Sequence, residues 1–267
     1  MSKVVLITGA SSGIGKSTAK LLSNKGFRVY GTGRNPNINE NIGYSLIPLD
    51  VTKSETISLA IDLILEKEGR LDVLVNNAGM GITGPIEDTP TNEMRKVFET
   101  NFFGAIDMMK AVLPQMRKQQ SGTIINVTSI AGYMGLPYRG VYSATKGALD
   151  LVSEAARMEV KEFGVNIVTI APGDVATNIA AGRYHTPVFD NSAYKEKYQM
   201  NLDLMDSHVD SGMNPIKMAE KIHQIVNLKQ PIVHYKVGAF MEKFSIVLKK
   251  ILPSKIYEKL LMNHYKL

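Results

Sequence analysis

The chain has 267 residues, 44% hydrophobic and 21% charged, which is ordinary for a globular protein that can bury a full core. It contains no cysteine, so disulfides and thiolate metal sites are excluded, and no metal is expected. The net charge of +6 is concentrated at one end: residues 236–267 hold seven lysines against Glu242 and Glu258. The body is nearly neutral, so no nucleic-acid partner is expected.

Met1-Ser2-Lys3 leads straight into the apolar run Val4-Val5-Leu6-Ile7. That run is too short for a signal peptide, and no stretch reaches the roughly 18 apolar residues that span a bilayer. An intracellular, cytoplasmic protein is expected. Lys3 to Thr8 reads as a strand buried on both faces of a parallel sheet. Thr8-Gly9-Ala10-Ser11-Ser12-Gly13-Ile14-Gly15 follows, then a helical run to Asn24 closed by Gly26. Strand, glycine-rich turn and helix is the context in which a backbone approaches a pyrophosphate at a helix N-terminus, although a structural turn of small residues gives the same string.

Phe27 to Gly33 reads as the second strand. In dinucleotide folds a carboxylate near its end binds the ribose 2′-hydroxyl, whereas an arginine suits a 2′-phosphate. Here the tip carries Arg34, and no acid appears until Glu40. Arg34 favours NADP over NAD; a solvated loop arginine is the alternative. Tyr44 to Leu49 is a third strand ending in Asp50-Val51, and residues 53–68 form an amphipathic helix. Leu71 to Val75 is a fourth strand, running into Asn76-Asn77-Ala78-Gly79. Small and amide residues at a strand's carboxyl end line the ligand crevice of open α/β sheets, though a polar turn reads alike.

A long helix is predicted over residues 91–117 with Asn101 in its middle, a poor interior residue unless exposed or used. Thr123 to Thr128 is the fifth strand and delivers Ser129 at its end. A loop follows, then a helix carrying Tyr142-Ser143-Ala144-Thr145-Lys146. Tyrosine and lysine at i and i+4 share a helix face, where a cation lowers a phenol's pKa and readies it for proton exchange; taken alone, the pair is also a common surface pattern. Val165 to Ala171 is the sixth strand, ending in Pro172-Gly173. Residues 178–212 are polar and weakly periodic, as expected of a lid. A helix over 215–228 and a strand at Ile232 to Tyr235 complete a doubly wound, mostly parallel seven-stranded α/β sheet of Rossmann type flanked by helices.

Together these stations resemble the short-chain dehydrogenase/reductase family. The matching residues are Thr8-Gly9-x-x-x-Gly13-x-Gly15, Asp50, Asn76-Asn77-Ala78-Gly79, Asn101, Ser129, Tyr142-x-x-x-Lys146 and Pro172-Gly173 with Thr177. They fall in the family's order over residues 3–236, which the resemblance implies is a single NAD(P)-binding catalytic domain. It further implies that Tyr142 is the general acid or base, that Lys146 lowers its pKa and bonds the nicotinamide ribose, that Ser129 holds the substrate oxygen, and that Asn101 fixes a water joining Lys146 to solvent. By the same resemblance Gly9, Ser11, Ser12, Gly13, Ile14 and Gly15 contact the phosphates and adenosine ribose, with Arg34 on the 2′-phosphate. Asp50 and Val51 frame the adenine, Asn77, Ala78 and Gly79 border the cofactor ribose, and Pro172, Gly173, Val175 and Thr177 hold the nicotinamide. NADP-dependent members often carry a second basic residue where this chain has Ser12, so the NADP(H) expectation rests on Arg34. Met80, Gly81, Tyr133, Met134 and the lid would shape the substrate site, suggesting an apolar carbonyl or alcohol. A homodimer or homotetramer is expected, and a non-catalytic NADP-binding scaffold is the competing reading.

Residues 237–267 extend past the family's core. Phe240, Phe244, Val247, Leu248 and Ile251 recur at helical spacing with lysines between them, and Pro253 opens a second helix. Packing on the body or on a partner subunit is the favoured reading; an interfacial anchor on an acidic membrane is the alternative. The extension resembles those of steroid-, retinoid- and sphingoid-ketone-reducing members, which points to a lipid-like ketone.

Overall fold

A computed structural model describes residues 2–37, 42–177, 182–188, 190–210 and 212–267. Glu40, the first acid after the second strand, and parts of the 178–212 segment lie outside the described residues. Strands β1 (Val4–Ile7), β2 (Arg28–Gly33), β3 (Ser45–Pro48), β4 (Val73–Asn76), β6 (Gly122–Val127), β7 (Val165–Pro172) and β9 (His234–Val237) form one sheet in the order β3-β2-β1-β4-β6-β7-β9. Every pairing in it is parallel. The chain winds outward from β1 to one edge and then from β4 to the other, so the carboxyl ends of β1 and β4 diverge into a crevice.

Alternation along each strand divides the core between the two faces. Leu6, Leu74, Ile124 and Ile167 meet Ile57 and Ile61 of α2 (Ser54–Glu68) and Met108, Val112 and Met116 of α4 (Gly104–Gln119). Val5, Val75, Ile125 and Ile170 meet Ala19 and Leu22 of α1 (Gly13–Asn24) and Met218, Ile222 and Ile225 of α7 (Pro215–Val226). The start of α7 is fixed locally: Pro215 occupies its first turn, and the side-chain Oδ1 of Asn214 accepts from the Ile216 amide at 2.9 Å.

Three expectations change in the structure. The helix predicted over 91–117 is α3 (Thr91–Phe98), a π-helical turn over Glu99–Phe103, and then α4. The last strand lies two residues later than read, because the Ile232 amide donates to the Tyr235 hydroxyl at 3.0 Å instead of joining the ladder. The 178–212 segment is substantially structured. Strand β8 (Tyr184–His185) pairs with β5 (Ile82–Thr83), and α6 (Lys195–Asp210) follows. Among the described side chains of α6, those of Tyr198, Asn201 and Met205 are buried, a narrow stripe that leaves a faint apolar period in the sequence.

The C-terminal extension is two helices, α8 (Phe240–Ile251) and α9 (Ser254–His264), and both pack on the body. Ile246 and Tyr257 join Ile130, Met134 and Ala171 in a third apolar cluster. The Glu242 carboxylate accepts from the amides of Asp174 at 2.7 Å and Ala239 at 2.6 Å. Gly173 lies close against that carboxylate: a Cβ there would lie 2.1 Å from Glu242 Oε2 and would force it to shift.

Candidate active site

The glycine turn joins β1 to α1. Ser12 precedes the helix in extended conformation, and its hydroxyl caps none of the first-turn amides, which therefore remain available to an anion. Gly15 must lack a side chain, because a Cβ would sit 2.3 Å from the Gly9 carbonyl oxygen and 2.6 Å from Asn77 Nδ2. Asn77 Nδ2 in turn donates to the carbonyls of Thr8 at 3.0 Å and Gly9 at 3.1 Å, while Thr8 Oγ1 accepts from the amides of Asn77 and Ala78. The turn after β1 and the end of β4 are thus locked together. Thr177 closes over the same turn, its Cγ2 3.2 Å from where a Gly13 Cβ would stand.

At the outer end, Gly33 lies against Ser11 and Arg34 is exposed. Asp50 feels its neighbours directly. Burial raises its pKa, but hydrogen bonds from Thr52 and the charges of Lys53 and Arg34 outweigh that and hold the carboxyl below its usual value. Val51 is buried against Gly104, and Ile14 and Val175 pack into the α1–α7 face of the core. The uncapped amides, the filled approach at Gly15 and the exposed Arg34 fit a dinucleotide laid across the ends of β1 and β2.

Tyr142 and Lys146 lie one turn apart on α5 (Gly140–Glu159), with Lys146 Nζ 5.9 Å from the Tyr142 ring centroid. Lys146 is buried and donates to the Val127 carbonyl at 3.0 Å; burial pulls its pKa down to about 8. Ser129 stands at the end of β6. Its oxygen accepts from the Ala131 amide at 3.1 Å, capping the 3-10 turn Ile130–Tyr133, and its hydroxyl is among the groups that pull the Tyr142 phenol's pKa down.

Several groups act on the Tyr142 phenol, and burial is the largest influence. Burial pushes the phenol above its usual 10. Arg139, the Ser129 hydroxyl and Arg183 pull it back down, while Asp174 pushes it up. The largest favourable charge is Arg139, whose guanidinium carbon lies 5.6 Å from the phenol ring centroid. Tyr265, near the chain's end, is buried against the same arginine, and its phenol feels both Arg139 and Asp174. Arg139 stands three residues before Tyr142 at the start of α5, a local spacing; Tyr265 has no sequence signal, because the fold alone brings it to Arg139.

Asn101 is 1% exposed and sits in the π-helical turn. Its Oδ1 accepts from the Met80 amide at 2.8 Å, and its Nδ2 donates to the Met80 carbonyl at 2.9 Å and to Thr145 Oγ1 at 3.2 Å. Asn101 therefore clamps the chain that carries Gly79, Met80 and Gly81 past Lys146, and Arg183 covers Gly81. Of the four residues expected to shape the substrate site, Met80 and Gly81 line this clamp. Tyr133 and Met134 point elsewhere. The Tyr133 ring lies beneath Lys236, its phenol pushed up by burial, Asp150 and Glu154, and Met134 Sδ accepts from the Tyr257 hydroxyl under the extension. The groups around the phenol are charged, so this end of the crevice is more polar than those four residues suggest. Pro172 ends β7, and the Gly173 amide donates to Val237 at 2.8 Å, fixing the loop that leads to Val175 and Thr177.

Away from the crevice, Asp150, Glu154 and His234 form a compact cluster between α5 and β9. Glu154 Oε1 stands 2.9 Å from His234 Nε2 and Thr169 Oγ1 stands 2.8 Å from Nδ1, so both ring nitrogens are engaged in a strut between the two elements.

Comparison with known proteins matches residues 3–187 to the family described as short chain dehydrogenase. The chain is 40% identical over 265 residues to a 3-ketodihydrosphingosine reductase of Bacteroides thetaiotaomicron, covering 98% of each. Among solved structures, a short-chain dehydrogenase from Streptomyces avermitilis superposes with a TM-score of 0.83 at 31% identity, covering 97% of this chain and 98% of that one. ElxO, solved with NADP bound, superposes with a TM-score of 0.73 at 30% identity, covering 89% and 97%. A match of this length, on a chain whose glycine turn and Tyr142–Lys146 helix meet at one crevice, means that the protein belongs to the short-chain dehydrogenase/reductase family.

Proposed function

We propose that the protein is an NADP(H)-dependent oxidoreductase acting on a carbonyl or secondary alcohol, with Tyr142 as the group that gives and takes the proton. The observation that carries this reading is the convergence of the Tyr142 phenol, the Ser129 hydroxyl and the buried Lys146 at the end of β6, beside the glycine turn. When bound, the nicotinamide cofactor supplies or accepts the hydride. In reduction Ser129 holds the carbonyl oxygen, Tyr142 protonates it as charge develops there, and the resulting phenolate recovers its proton from solvent. Lys146 orients the cofactor's ribose, and Asn101 keeps the Gly79–Gly81 backbone in place beside it.

Arg34 selects the 2′-phosphate, and NADP in the similar ElxO structure supports that choice. The substrate is a lipid-like ketone whose carbonyl lies close to a polar end. Arg139, Arg183 and Asp174 around the phenol support the polar end, and the reductase named for the Bacteroides relative supports the long chain.

NADPH oxidation against a panel of ketones that includes 3-ketodihydrosphingosine tests the chemistry. Wild type is expected to turn over one or more of them, and Tyr142→Phe to lose roughly a hundredfold or more; equal turnover in the two proteins would sink the mechanism. Cofactor choice has a readout without turnover. NADP is expected to raise the thermal unfolding midpoint more than NAD at equal concentration, and Arg34→Ala to remove that difference.

A further inference from the structure

Docking leaves one side of the C-terminal extension without a partner. The inner side of α8 is spent on the body through Ile246, Leu248 and Leu252. On the outer side Phe240, Phe244, Val247 and Ile251 follow at i, i+4, i+7 and i+11, one stripe of a helix, and are 71%, 37%, 46% and 67% exposed. Phe240 and Phe244 stack on each other with centroids 5.5 Å apart. Single exposed apolar residues are unremarkable, but an uncovered stripe of four is a docking surface.

The charges repeat with the stripe. Lys243 precedes Phe244, Lys250 precedes Ile251, Lys255 precedes Ile256 and Lys259 precedes Leu260, so a lysine stands about 100° to the same side of two of the four stripe residues on α8 and of Ile256 and Leu260 on α9. Ile256 and Leu260 of α9 are 52% and 47% exposed. The two acids of the extension do not oppose this row. Glu242 is turned inward onto the Asp174 and Ala239 amides, and Glu258 lies two residues past Ile256, on the far side of α9. No helix among the described residues is long and apolar enough to cross a bilayer.

We propose that this surface docks the protein onto an anionic lipid bilayer, with the α8 stripe inserted at the headgroup–acyl boundary and the lysine row on the phosphates. An apolar stripe edged by lysines, whose stems lie along the apolar layer while their ammonium groups reach outward, matches that boundary in both polarity and charge. Glu242 ties α8 to the loop at Gly173–Asp174, so docking places the mouth of the substrate crevice beside the lipid surface.

Co-sedimentation of the full chain with vesicles tests this. Binding is expected to phosphatidylcholine vesicles containing a quarter phosphatidylglycerol, to weaken as salt is raised, and to be absent with phosphatidylcholine alone. Lys243→Gln with Lys250→Gln is expected to cost about fivefold in affinity per lysine. Phe240→Ser, Val247→Ser and Ile251→Ser combined, which touch no group of the crevice, should abolish binding while leaving the unfolding midpoint and turnover of a water-soluble ketone unchanged. Failure of the wild type to bind anionic vesicles at low salt overturns the proposal, as does retention of binding by the serine variant. So does a serine variant that sediments as a smaller particle than wild type, since the stripe is then the contact between copies. Vesicle binding requires no turnover, so its outcome and that of the proposed activity are separable.

Discussion

The side chains around Tyr142 set opposing demands on one proton. Burial favours the neutral phenol, the form that protonates a carbonyl, whereas oxidation of an alcohol needs the phenolate, which Arg139 favours. Removing that cation raises the phenol's pKa further. In Arg139→Met the rising limb of the alcohol-oxidation pH profile is therefore expected to move to higher pH, with Arg139→Lys restoring part of the shift; identical profiles for Met and wild type would exclude Arg139 from the proton chemistry. Lys146 gives a second residue-scale test, on stability. Its pKa is about 8 in the fold against 10.5 unfolded, so between these values the unfolded chain binds more protons and folding is favoured as pH rises. Below pH 8 the buried ammonium costs stability, a cost relieved from pH 8 to 10.5. Lys146→Met lacks this titration, so its unfolding midpoint relative to wild type should be highest near pH 7 and decline toward pH 10.5. A pH-independent difference would mean that Lys146 is better solvated than its burial indicates.

At the scale of elements, legibility follows how local each cause is. The glycine turn, α1 and the Tyr142–Lys146 face were readable because spacing within a dozen residues determines them. Asn101 was visible as an anomaly in a helix but its use was not, since the π-helical turn that buries it depends on Met80 and Thr145. Strands β5 and β8 carry no period at two residues each; what holds them is the pairing itself and the Tyr198 hydroxyl donating to the Thr83 carbonyl at 2.9 Å. The junction of α8 with the β7 loop was hidden for the same reason, and it carries a prediction. Gly173→Ala drives a methyl into the Glu242 carboxylate, and Glu242→Ala removes the acceptor of two amides. Each single change is expected to cost about 1–3 kcal/mol in urea unfolding. Because both act on one contact, the double variant should cost clearly less than their sum. Additive losses would show that the carboxylate does not hold the loop.

Over the whole molecule, the sheet order places the glycine turn, the end of β4 and Ser129 at one rim, and the extension returns the chain's end to that rim. Tyr265 lies within the last three residues, yet it is buried beside the arginine that faces Tyr142. The third apolar cluster, with Met134 against Tyr257, is the packing that carries it there. If the extension were only a surface attachment, changes at its end would alter stability and leave catalysis alone. The geometry argues otherwise, because Tyr265 is buried and its phenol interacts with Arg139, the cation over the Tyr142 ring. Tyr265→Ala is expected to cost about 3 kcal/mol of stability, as truncation of a buried aromatic does, and also to lower turnover at a temperature where the variant remains folded. Filling the space without the hydroxyl separates the two effects. Tyr265→Phe should recover most of the stability, and any turnover deficit it retains measures how far the phenol, rather than the ring, holds Arg139 in place. Full turnover in Tyr265→Ala would instead mean that Arg139 keeps its position over Tyr142 unaided, leaving the extension to membrane docking and packing alone.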